Sequence, residues 1–256
     1  MNEEVLVAKN LCKRFPLSAK QAAERKIDGR ELRAVENLSL TLTKGEIYGL
    51  LGPNGAGKTT TLRMLATLIS PSSGEILYHG EPINKDVNAY RKRIGFLTSE
   101  LKLDDFFTPD YTFDYMSALY GVPTAERDGR KRELFRRFGV DSFAYSAIKN
   151  LSTGMKQKVS LAVSICHDPE IIIYDEPTNG LDILASRDVE NFLLALKGEG
   201  KAIVVSTHIF SLVEKLCDKV GIILRGEMAL EGPLSEVTAE KSLEDVFFSL
   251  VEEERA

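Results

Sequence analysis

Apolar residues along this chain fall into short unbroken runs, and these alternate with longer stretches in which apolar positions recur at helical spacing. Residues 5–8, 38–42, 47–51 and 74–78 are rich in β-branched and apolar side chains and are bounded by Gly, Pro or Asn, so they read as strands. From about 109 to 139 the period becomes helical, with Phe113, Met116, Leu119 and Tyr120 on one face and Leu134, Phe135 and Phe138 on another. Strand runs return at 171–174, 202–206 and 220–224, separated by helical patterns at about 183–197 and 209–216. Strands that are apolar throughout and alternate with helices predict parallel βαβ units covered on both faces. The polar stretch 17–30, with Asp28-Gly29 as its turn, reads as an extended surface hairpin.

Chemistry enters between the strand at 46–51 and a helix predicted over about 57–68. There Gly52-Pro53-Asn54-Gly55-Ala56-Gly57-Lys58-Thr59 fits the pattern G-x-x-x-x-G-K-[ST]. A triphosphate must leave water without losing its hydrogen bonds. The glycines let backbone N–H groups converge on it, and the helix start directs its positive dipole end at the same anion. Lys58 then reaches the β and γ phosphates, and Thr59 the Mg²⁺.

The run 171–174 ends in Asp175-Glu176-Pro177, at the carboxyl end of a strand, where open α/β sheets place their ligands. Asp175 suits Mg²⁺ held through water, and Glu176 is placed to take a proton from the water that attacks the γ phosphate. Ser206-Thr207-His208 ends another strand, which brings His208 to the same edge as a hydrogen-bond donor to the γ phosphate. His79 and His167 read as turn residues. Ser152 opens an amphipathic helix that runs to about 165; it is an N-cap, and its free N–H groups also make an anion site.

Composition narrows the class. With 256 residues, 43% hydrophobic and 28% charged, the chain can bury a large core as one α/β domain with a subdomain. A net charge of -5 with scattered Lys and Arg lacks the electrostatic footprint of a nucleic-acid binder. Three cysteines without C-x-x-C spacing predict reduced thiols and no zinc framework. The first residues lack a signal-peptide pattern, and no window approaches 18 apolar residues, so no membrane span is expected.

The order of phosphate loop, Ser152 segment, carboxylate strand and strand-end histidine resembles the ATP-binding cassette (ABC) family over nearly the whole chain. The resemblance implies an α/β P-loop nucleotide-binding domain with a mixed sheet core, an antiparallel β subdomain and a helical subdomain. Residues 1–97 and 166–256 would form the core with the β subdomain, and about 98–165 the helical part. It implies a head-to-tail dimer in which ATP and Mg²⁺ at Gly52, Pro53, Asn54, Gly55, Ala56, Gly57, Lys58, Thr59 and Thr60 are covered by Ser152, Thr153 and Gly154 of the other subunit. Glu176 is then the catalytic base, His208 the γ-phosphate switch, Phe15 the ring stacked on adenine, and Asn179-Gly180-Leu181-Asp182 the dimer-contact loop.

Two departures from the family pattern stand out. The signature carries Thr153 and Met155, and Ser99 occupies the place of a glutamine that touches the metal. Thr98-Ser99-Glu100, the segment 152–158 and the tail from Ser242 to Phe248 are similar to the sodium-extrusion (NatA-like) branch of exporter subunits. The implied setting is the cytoplasmic face of a membrane. The implied partners are an integral-membrane permease subunit and a second nucleotide-binding subunit, in the simplest case a second copy, with no nucleic acid. Leu101, Leu103, Phe106 and Phe107 are the expected docking patch. The alternative is a soluble ABC ATPase that acts as a mechanical switch on ribosomes or DNA. Against it, no second phosphate loop or sustained heptad is present. A kinase or GTPase would leave 152–158 unexplained.

Overall fold

The computed structural model describes residues 3–25, 30–98 and 103–253. The first half contains β1 (Glu4–Pro16), α1 (Ala19–Arg25), β2 (Glu31–Thr43), β3 (Ile47–Leu51), α2 (Lys58–Leu65), β4 (Ser73–Tyr78), β5 (Glu81–Pro82), α3 (Val87–Arg91) and β6 (Ile94–Thr98). Next come α4 (Pro109–Leu119), α5 (Thr124–Phe138), α6 (Thr153–Ser164), β7 (Ile171–Asp175), α7 (Ile183–Gly198) and β8 (Ala202–Thr207). The chain closes with α8 (Phe210–Leu216), β9 (Lys219–Leu224), β10 (Glu227–Pro233), α9 (Leu234–Val237) and α10 (Leu243–Glu253).

Two sheets form. One is antiparallel, in the order β2-β1-β4-β5; the other, in the order β10-β9-β3-β8-β7-β6, is parallel except for the β10–β9 pair. The side-chain period of two divides each central strand of the larger sheet between two cores. Ile171 and Ile173 of β7, with Ala202 and Val204 of β8, pack toward the smaller sheet together with Val5, Leu6, Leu40 and Leu62. Ile172, Tyr174, Ile203 and Val205 face the other way, into a core shared with Val159, Val189, Leu193 and Val213 from the covering helices. Burial on both faces is why these strands are apolar without alternation.

Parallel register then sets the active edge. Leu51 pairs with Thr207, Asp175 with Ser206, and Thr98 with Asp175, so four strands end side by side. The phosphate loop, Glu176 and His208 follow directly from those ends.

The α4–α5 pair packs through Phe113 and Phe135, whose ring centroids lie 5.5 Å apart, and α5 meets α7 through Phe138 and Phe192 at 4.5 Å. Full burial of one such ring stabilises by about 2–3 kcal/mol. Lys131 ties the pair further, bonding Asp110 at 2.6 Å and Asp114 at 3.0 Å. One position of the expected apolar face differs: Leu119 is exposed, while Met116 and Tyr120 beside it pack against the core.

The stretch expected as an extended hairpin is corrected in its middle. Its ends do pair, Pro16 with Glu31, but 19–25 is the helix α1. A capping box supplies the reason: the Gln21 N–H donates to Ser18 Oγ at 3.2 Å, and the Ser18 N–H donates back to Gln21 Oε1 at 2.9 Å. The Asp28-Gly29 turn lies outside the described residues. Among the described residues no helix is long and apolar enough to cross a membrane.

Candidate functional site

The loop between β3 and α2 holds its shape through positions where only glycine fits. Gly57 sits at φ 110°, and a Cβ there would lie 2.6 Å from the Ala34 carbonyl oxygen; at Gly52 it would lie 2.4 Å from that of Ile223. Gly57 also precedes α2 without a side-chain cap, so the first N–H groups of that helix are left for a ligand. Ala56 anchors the loop, accepting from the Gly226 N–H at 2.9 Å.

Lys58 is 6% exposed, and its Nζ donates to the carbonyl oxygens of Gly52 at 2.6 Å and Pro53 at 3.2 Å. Burial draws its pKa down, while the charges of Glu176 and Asp175 pull it back up. The ammonium thus rests on two neutral acceptors, which an anionic phosphate oxygen would replace with an ion-paired hydrogen bond.

A cleft of about 520 Å³ opens over this loop. It is lined by Phe15, Pro53, Asn54, Gly55, Gly57, Lys58, Thr59, Thr60, Asp175, Glu176 and His208, so strands from both sheets contribute to it. Leu32, Arg33, Ala34 and Asn179 line it as well. Leu32 pairs with Phe15 across β1 and β2, a register invisible to motif reading.

Asp175 is 5% exposed and accepts a hydrogen bond from the Ser206 hydroxyl. Glu176 adopts φ 52°, a left-handed conformation costly for a non-glycine residue. Its N–H is held by the Ser206 carbonyl at 3.1 Å and the Ser206 hydroxyl at 3.3 Å. The His208 Nδ1 lies 3.0 Å from Glu176 Oε1. An ionised carboxylate only accepts, so Nδ1 carries the proton, and a neutral ring then presents Nε2 as an acceptor. His208 therefore donates to a phosphate through Nε2 only as an imidazolium, or after releasing Glu176.

Thr59 and Asp175 offer a hydroxyl and a carboxylate to the same cleft. These hard oxygen donors, few in number beside phosphate oxygens and waters, are the set that Mg²⁺ takes. Ser99 lies outside the described residues. His79 and His167 stay at turns far from this edge. The His167 ring stacks on Tyr120 at 3.7 Å, and burial pushes its pKa down to about 4.

Ser152 caps α6, its hydroxyl accepting from the Met155 N–H at 3.2 Å, as expected. Ser152, Thr153 and Gly154 do not line the cleft of their own chain. Gln157 fastens the same helix to the residue that follows the two carboxylates by donating to the Pro177 carbonyl at 2.9 Å.

The family model for ABC transporters matches residues 35–179, more than half of the chain, from β2 through the carboxylates. The chain belongs to the ABC transporter family. It is an ATP-binding ATPase of the ABC type, with the mixed-sheet P-loop fold of that family. It is similar to the ABC transporter ATP-binding protein NatA of Bacillus subtilis, 41% identical over 216 residues that cover 84% of this chain and 88% of NatA. The Nod factor export ATP-binding protein I of Cupriavidus metallidurans is 36% identical over 83% of this chain and 70% of its own length. A solved ATP-binding subunit of an ABC transporter superposes with a TM-score of 0.83 at 27% identity, covering 96% of this chain and 99% of that one. Other curated ABC relatives are longer, and the chain spans 61%, 59% and 39% of their lengths.

Proposed function

We propose that this ABC chain powers export through a separate integral-membrane permease, working as a pair of nucleotide-binding subunits on the cytoplasmic face of the membrane. The observation that carries the pairing is the position of Ser152, Thr153 and Gly154: their helix start suits an anion but stands outside the chain's own cleft. A second copy in head-to-tail arrangement supplies them to it. Ile183 and Leu184, which follow the 179–182 loop, are largely exposed and would be covered by such a copy. Segment 98–165 would act as one helical unit carrying that tip. Likeness to an export ATP-binding protein supports the direction of transport; sodium as cargo rests on the sequence resemblance to the NatA-like branch alone.

In the proposed reaction Phe15 stacks on adenine, the loop from Gly52 to Thr60 binds the phosphates, and Lys58 reaches the γ phosphate. Thr59 and Asp175 would hold Mg²⁺, which neutralises charge on the phosphate oxygens; Ser99 joins that set only by its place in the sequence. The Glu176 carboxylate takes a proton from water as the water oxygen bonds to the γ phosphorus and the bond to the β-phosphate oxygen breaks. ADP and phosphate are the products. His208 orients Glu176 until phosphate arrives.

Permease docking is assigned to the surface around Phe106, which is 81% exposed. Leu103 and Phe107 pack partly inward, and Leu101 lies outside the described residues. Tyr111 and Tyr115, half exposed and stacked at 6.2 Å on α4, extend the patch. Phe106→Asp is expected to cut the membrane-bound fraction of the chain in its own host at least threefold, as measured by fractionation, without lowering ATP affinity. Unchanged membrane recovery would contradict the docking assignment. Recovery of the wild type on ribosomes or DNA instead of membranes would place it among the soluble switches.

A further inference from the structure

We propose that Ser206 is a positioning residue of the hydrolytic centre, setting the carboxylate of Asp175 and the backbone of Glu176 with one hydroxyl. This rests on the reading above, in which Asp175 holds the metal and Glu176 takes the proton.

Ser206 lies on β8 opposite Asp175 of β7 and is fully buried. A hydroxyl has one proton and two lone pairs, so it can donate once while accepting elsewhere. Here it donates to Asp175 Oδ1 and accepts the Glu176 N–H at 3.3 Å, and the Ser206 carbonyl takes the same N–H at 3.1 Å. Both acids are therefore fixed from a single residue of the neighbouring strand. Glu176 needs this, because a non-glycine residue stays at φ 52° only when its surroundings hold it there.

Two residues further on, His208 takes the Glu176 side chain at Oε1. His208 lies one residue beyond the end of β8, in the bend that leads to α8. One strand end thus sets the Asp175 carboxylate and the Glu176 backbone at its first position, and the Glu176 carboxylate at its second. Partners that orient a metal-binding carboxylate commonly change metal affinity by 10- to 100-fold when removed.

The test is Mn²⁺ binding, read by the electron paramagnetic resonance signal of the free ion, to ATP-loaded protein in which Glu176→Gln blocks turnover. Ser206→Ala is expected to weaken Mn²⁺ binding about tenfold. ATP affinity in the presence of a chelator should stay within about twofold, because the glycine cradle is untouched. Ser206→Cys, nearly isosteric and a weaker donor, should fold like the wild type and lie between the two. In the chain with Glu176 intact, Ser206→Ala should lower kcat about tenfold and raise the Mg²⁺ concentration for half activation, leaving KM for ATP nearly unchanged. Wild-type Mn²⁺ affinity in either variant, whatever its melting temperature, would overturn the proposal. Asp175→Asn separates the two levels. If it too leaves Mn²⁺ affinity unchanged, the metal assignment of Asp175 fails; if it alone weakens binding, only the role of Ser206 fails.

Discussion

Replacing Glu176 with Gln is expected to reduce ATP turnover by about three orders of magnitude while leaving ATP affinity within a factor of two or three. General-base catalysis is worth about 10²- to 10⁴-fold. The amide of Gln fills the same volume but cannot take the proton of the attacking water. Little else should change. The backbone N–H that Ser206 holds belongs to either residue, and the Gln carbonyl oxygen still accepts from His208 Nδ1. Single-turnover phosphate release, measured beside equilibrium nucleotide binding, separates chemistry from affinity. Phosphate release within about tenfold of the wild type would remove Glu176 from the role of base and leave it a structural carboxylate at a strand end.

Lys58→Ala should act on binding. Lys58 is 6% exposed and its ammonium is satisfied by two loop carbonyls, so the side chain already lies across the loop where phosphate oxygens would sit. Losing a charge-assisted phosphate contact there is expected to raise the Kd for ATP about 100-fold, equivalent to about 2.7 kcal/mol. Titration with a fluorescent ATP analogue reads this directly. The free protein should hold its melting temperature within a few degrees, since the bonds lost are local to the loop and the partly buried charge is removed together with them. Affinity within threefold of the wild type would mean that the loop binds phosphate through its backbone alone.

The two predictions draw on parts of the chain that were legible to different degrees. Apolar runs at 47–51, 171–174 and 202–206 marked the central strands because burial on both faces leaves no room for polar alternation. The glycine pattern marked the loop because each fixed position answers to a local backbone need. Contacts set by register between strands distant in sequence were not legible. That Ser206 sits opposite Asp175, or that Leu32 sits beside Phe15, follows from pairing, which no local window reports.

The helix α1 was legible in principle, through Ser18 and Gln21 at capping-box spacing, yet the stronger Asp28-Gly29 turn signal led to an extended reading. Leu119 shows the limit of periodicity. It has the right spacing for the apolar face of α4, but only Phe113, Met116 and Tyr120 of that set reach the core. The docking patch divided for a similar reason, with Phe107 turned toward the core and Phe106 outward.

In the proposed assembly a second copy completes the site, since the Ser152 tip stands apart from the cleft it would close. The deciding measurement is the solution mass of the Glu176→Gln chain, taken by light scattering with and without saturating Mg·ATP. The 28.4 kDa chain should double its mass with nucleotide, and adding Ser152→Arg should return it to a monomer that still binds ATP. A Glu176→Gln chain that binds ATP yet stays monomeric, or one whose dimer ignores Ser152→Arg, would contradict the account.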